Sequence, residues 1–146
     1  MKRIALLALL LVSCASKPRS PLQSLAWVAG DWAGSGGGYS AFYERYTIAS
    51  DGSIAMEFFD DAAFTKRSGT GTIRLEDGVI RYRTGRSMWE VSSMKKDEVC
   101  FAPKEGATNS FCWLRHSKDA WRATLQYPAP RAKTVVYELK RVARRS

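Results

Sequence analysis

Histidine and cysteine are scarce in this 146-residue chain: there is one histidine, His116, and three cysteines, Cys14, Cys100 and Cys112. No second cysteine pair and no neighbouring His–Cys group completes a zinc set, so no metal is expected. Catalytic motifs are missing as well. There is no Gly-x-Ser-x-Gly elbow and no His-x-x-x-His pair. The run Gly34-Ser35-Gly36-Gly37-Gly38 is followed by neither Lys-Ser/Thr nor a helix, so it reads as a flexible strand connection and not a phosphate cradle. His116 stands beside the polar turn Ser117-Lys118-Asp119, a surface position rather than that of a general base. Asp60 and Asp61 are adjacent, which suits a solvated turn better than an acid–base or metal pair. A catalytic site needs a nucleophile, a base and an orienter, or a metal, within mutual reach. No catalytic residue and no cofactor is assigned, and an enzyme stands as a third functional reading without a motif behind it.

Long apolar runs are also absent. The longest, Ile4 to Val12, is too short to span a bilayer and follows Lys2 and Arg3, the pattern of a secretory signal. It ends in Leu11-Val12-Ser13-Cys14, which resembles the lipobox of bacterial lipoproteins. The resemblance implies cleavage before Cys14 and acylation of that residue with palmitate-type chains. One chain anchors only marginally, whereas several make attachment effectively permanent. Ala15, in place of the Asp that marks inner-membrane retention in such proteins, implies the periplasmic face of the outer membrane. The expected organisation is a signal peptide over 1–13, a lipidated tether over 14–24, a β-barrel domain over 25–142 and a basic tail over 143–146.

The formal net charge of +9 includes Lys2 and Arg3 of the leader. The remaining positives are scattered (Arg45, Lys66, Arg67, Arg74, Lys95, Lys96) and thicken only at Lys140, Arg141, Arg144 and Arg145. In an envelope protein this suits a solvated surface, or contact with anionic lipid headgroups, and not nucleic acid. A monomer is expected.

With Cys14 assigned to lipid, Cys100 and Cys112 form an even pair in an oxidising compartment. Val99-Cys100-Phe101 and Phe111-Cys112-Trp113 mirror one another about Gly106, as two arms of a hairpin would. That register sets the cysteines opposite one another. A structural disulfide is expected, stabilising the fold by about 3 kcal/mol on the chain-entropy model.

Beyond a turn or two of helix at Leu22, Leu25, Ala26 and Ala29, the pattern is one of short strands. Tyr39 to Ile48 turns at Asp51-Gly52 into Ile54 to Phe59. Gly69 to Leu75 meets Val79 to Arg83 across Asp77-Gly78, a strong hairpin signal. Further strands run over 87–94, 99–102, 110–115, 120–127 and 134–142. Nine or so strands joined by tight turns, with no crossover helix, form an antiparallel meander. Such a sheet tends to curl and close. The expected fold is an all-β, antiparallel up-and-down β-barrel of about 8–10 strands with a short N-terminal helical turn, a sandwich being the alternative.

The opening Leu25-Ala26-Trp27-Val28-Ala29-Gly30-Asp31-Trp32-Ala33-Gly34 and the closing Thr134 to Val142 resemble a family of uncharacterised bacterial secreted domains with a WLAG-x-W-x-G start. Those domains look like calycins, the lipocalin-like barrels. The resemblance implies that Gly30-x-Trp32 and Arg141 close one barrel end, the guanidinium lying over the indole. The glycine-rich opening also resembles nitrobindins, which hold haem through a late histidine. This chain has none in its last strand, and haem is not expected.

The functional expectation is a non-catalytic envelope lipoprotein that binds a small hydrophobic or amphipathic ligand. Tyr43, Tyr82 and Trp89 are candidate lining residues, with Arg81 or Arg83 at the cavity floor to receive an anionic head. The alternative is a structural or protein-interaction module whose aromatics fill a solid core, and a filled core with at most a small cavity is the favoured packing. Glu44 and Glu57 lie on neighbouring strands, with their facing left open.

Overall fold

A computed structural model describes residues 20–143. The leader, Cys14, the tether up to residue 19 and the tail arginines Arg144 and Arg145 lie outside the described residues. The chain forms a 3-10 helix over Pro21–Val28 and ten strands: β1 (Gly30–Gly36), β2 (Tyr39–Ile48), β3 (Ile54–Phe59), β4 (Arg67–Glu76), β5 (Val79–Thr84), β6 (Ser87–Met94), β7 (Glu98–Pro103), β8 (Ser110–Arg115), β9 (Ala120–Tyr127) and β10 (Lys133–Val142). Each strand pairs antiparallel with its chain neighbours, and β1 pairs with β10 to close the barrel. Closure leaves no open sheet edge, which settles the choice between barrel and sandwich.

Two boundaries differ from the sequence expectation. The tether was expected to run to residue 24, but Pro21 opens the helix, and Leu22 is buried with Leu25 and Val28. Proline suits a helix's first turn, where its missing N–H costs nothing, and the three apolar residues find cover under one barrel end. The other difference is β1. Its sequence, GDWAGSG, has little strand propensity, yet pairing on both sides holds it extended.

Alternation along the strands sorts the interior from the outer face. On β5, Ile80 and Tyr82 are buried, whereas Arg81 and Arg83 between and after them face outward. On β7 and β8, Val99, Phe101, Phe111 and Trp113 point in, while Cys100 and Cys112 meet on the outer face in a disulfide with a Cα separation of 4.0 Å. Their register partners are each other, as the mirrored hairpin requires.

The closed end of the barrel is built around Trp32. Its indole Nε1 donates to the Val28 carbonyl at 2.7 Å, tying β1 to the helix. The Arg141 guanidinium lies over the Trp32 ring, 4.2 Å from its centroid. From there Arg141 Nη1 donates to the Ala29 carbonyl (2.9 Å), and Nε and Nη2 donate to the Lys118 carbonyl. Gly30, at φ +134, makes room: a Cβ there would run into the Arg141 guanidinium. Trp121 packs edge-on against both Trp27 and Trp32, completing the plug.

Candidate ligand-binding cavity

Above the plug the barrel is not filled. A cavity of about 430 Å³ occupies the interior, bounded among others by Phe42, Glu44 and Tyr46 of β2, Tyr82 of β5, Trp89 of β6, Trp113 of β8, Trp121 of β9 and Tyr137 of β10. The expectation of a core with at most a small cavity is therefore corrected. The physical reason lies in where the large side chains gather. Tyr82, Trp89, Phe101, Phe111 and Trp113 cluster on the β5–β8 side, with Phe101 and Phe111 stacked at 4.7 Å. Across the barrel, β1 presents Gly34 beside Phe42 of β2. A Cβ at Gly34 would collide with the Phe42 ring, which lies flat over that position. Tyr39, which is 64 % exposed, lies with Tyr127 and Tyr137 at the rim away from the helical plug.

Two of the sequence candidates, Tyr82 and Trp89, line this space, in edge-to-face contact with one another at 5.3 Å. The Trp89 indole donates to the Asn109 carbonyl at 2.7 Å. Arg81, Arg83 and Tyr43 are not there. Successive side chains of a strand point to opposite sides, so Arg81 and Arg83 cannot share the interior with Tyr82. Both lie on the outer face, where Arg81 pairs with Glu90 (3.1 Å) and Glu76 (3.1 Å), and Arg83 with Glu76 (2.9 Å). These contacts hold the Glu76 and Glu90 carboxyls below the usual range, Glu76 chiefly through Arg83 and Glu90 chiefly through Arg81. Tyr43 also faces out and packs against Phe64 of the loop that follows β3. In that outer cluster Arg45 grips Asp31 with two hydrogen bonds, at 2.7 and 3.0 Å, and lies over the Phe59 and Phe64 rings. Asp61 caps the same loop, accepting from the Thr65 and Lys66 amides.

The residue that sequence reasoning did not place is Glu44. It alternates with Tyr43 and Arg45 and so points inward, opposite Trp32 on β1. Glu57, on the other parity, faces out and accepts from Arg67 at 3.0 Å. Glu44 is half-buried, and its free surface belongs to the cavity wall. It accepts a hydrogen bond from the Tyr46 hydroxyl at 2.7 Å. Burial pushes its carboxyl up to about 7 against this single compensating bond. The Tyr46 and Tyr82 hydroxyls are raised in turn by burial and by the nearby Glu44 charge. The residues lining the cavity include no lysine, arginine or histidine. A second polar group is left over nearby: the buried Trp121 Nε1–H has no hydrogen-bond partner among the described residues.

The signal for Glu44 was present but masked. Strand β2 carries aromatics on both faces, Phe42 and Tyr46 inside and Tyr43 outside, so its hydrophobic alternation does not choose a parity. On β5 the choice was legible, since Ile80 and Tyr82 share one side and two arginines the other.

No family model matches the chain, and no curated protein matches it.

Proposed function

We propose that this protein is a lipid-anchored envelope binding protein that takes a small hydrophobic or amphipathic ligand into its barrel. The observation that carries the reading is the aromatic-walled cavity of about 430 Å³ above a sealed floor. Cavities of this size, mostly apolar and with few polar groups, suit small organic ligands. The likeness of Gly30-x-Trp32 and Arg141 to the closed end of calycins, the lipocalin-like barrels, supports the same class of function. Attachment through Cys14 at the periplasmic face of the outer membrane would place the barrel beside a source of such compounds.

Nile red, a neutral apolar dye, tests the reading. It is expected to bind the full-length detergent-extracted protein with one-to-one stoichiometry and rising fluorescence. Ala123→Leu, which adds bulk to the cavity wall, is expected to weaken that binding about tenfold or more, the added side chain filling ligand space. No binding to the wild type, or equal binding to both proteins, would overturn it.

A further inference from the structure

We infer that the ligand of this cavity carries a cationic nitrogen, received by Glu44, on a flat apolar body held between the tryptophan and tyrosine rings. The inference rests on the binding reading above and names its ligand class. It replaces the anionic head that an arginine floor would have selected, since the arginines face outward in ion pairs.

Glu44 is the only carboxylate among the lining residues, and no basic side chain shares the space with it. Apart from Asn109, the other residues of the lining are aromatic or aliphatic. Tyr46 on its own strand donates to it, Tyr82 on β5 and Tyr137 on β10 lie close enough to feel its charge, and Trp32 is its partner across on β1. The other ionisable groups of the lining, Tyr39 and Tyr127, are tyrosines as well. An ionised carboxylate in such a setting is under-compensated, because one hydroxyl leaves most of its acceptor capacity unused. An ammonium group supplies both the missing charge and several N–H donors. The rings add to this. Tyr46, Trp113 and Trp121 form one contiguous set, with centroids 5.2 to 6.2 Å apart, and aromatic faces attract cations when water is excluded. A carboxylate ligand would meet like charge and no basic partner. A neutral ligand would leave the Glu44 charge unanswered.

Three indoles of nearly equal shape separate these cases: tryptamine (cationic), tryptophol (neutral) and indole-3-acetate (anionic), titrated calorimetrically into the full-length protein. Tryptamine is expected to bind about tenfold or more tightly than tryptophol at pH 8, the return expected of a charge-assisted contact, and indole-3-acetate more weakly than either. Its affinity is expected to rise between about pH 5 and pH 8 as Glu44 ionises, with that of tryptophol flat, because burial raises the neighbouring Tyr46 and Tyr82 hydroxyls further above that range. Glu44→Gln is expected to erase the tryptamine advantage and its pH dependence, with near-ultraviolet circular dichroism checking the fold. Tryptophol or indole-3-acetate binding as tightly as tryptamine in the wild type would overturn this inference while leaving the cavity reading intact. Binding of none of the three, together with failure of Nile red, would overturn the cavity reading itself. Persistence of the amine preference in Glu44→Gln would place the selecting charge elsewhere and also overturn the inference.

Discussion

The two halves of the barrel interior treat polar groups in opposite ways. At the closed end, the Trp32 indole has the Val28 carbonyl, and the Arg141 guanidinium has the Ala29 and Lys118 carbonyls and the Asp119 carboxylate. In the cavity above, Glu44 has one hydroxyl, and at the border of the two halves the Trp121 N–H has no partner among the described residues. Buried polar groups cost free energy unless they are paired, so the first half is built for stability and the second tolerates a cost. An under-compensated carboxylate beside open volume is the feature from which the cationic ligand class is proposed.

The largest expected effect lies in the plug. Trp32→Ala removes the anchor of the helix, the surface under Arg141 and the edge-on partner of Trp121, and should cost about 3–5 kcal/mol in urea unfolding. Phe42→Ala, bordering the cavity and only half-buried, should cost less than half as much. Equal losses would erase the distinction between the two halves.

Glu44 should produce the next largest effect, and its sign is fixed by its raised value. A carboxyl that sits near 7 in the folded protein and near 4.5 when unfolded favours folding in its protonated form. Its contribution is fully present below about pH 4.5 and is lost as pH rises through about 7. Stability of the wild type should therefore fall by about 2 kcal/mol across that window, less than full linkage gives because the cavity side of the carboxylate can meet water. Glu44→Gln, which can still accept from Tyr46, should be less sensitive to pH by that amount. Identical pH profiles for the two proteins would show that the carboxylate bears no desolvation cost.

The smallest effect is expected outside. Arg81→Gln opens an ion-pair network on the barrel's outer face and should change stability by about 1 kcal/mol or less, with Nile red affinity unaltered. A large loss of dye binding would return Arg81 to the ligand site and undo the inward–outward assignment.

Much of the barrel is legible residue by residue. The hairpin turns at Asp51-Gly52 and Asp77-Gly78, the alternation of Trp121, Ala123 and Leu125 with Arg122 and Thr124, and the mirrored cysteine arms each report local backbone geometry. Local geometry is encoded by neighbouring side chains, so it survives in a single sequence. The candidate site is legible only in part. Tyr82 and Trp89 are inside, but the parity of β2 is ambiguous, and a one-residue change of register exchanges Glu44 for Tyr43 or Arg45.

What the amino-acid order determined by itself is therefore the all-strand meander, its turns and the Cys100–Cys112 pair, while the residues that seal one end were implied by the resemblance to calycins. What tertiary structure alone decided is which face of β2 became the interior, and with it the placing of a single carboxylate, Glu44, in the cavity wall. The physical reason is that facing is set by closure of β1 onto β10 and by the packing of ten strands at once. The neighbouring residues of β2, aromatic on both faces, do not contain that information.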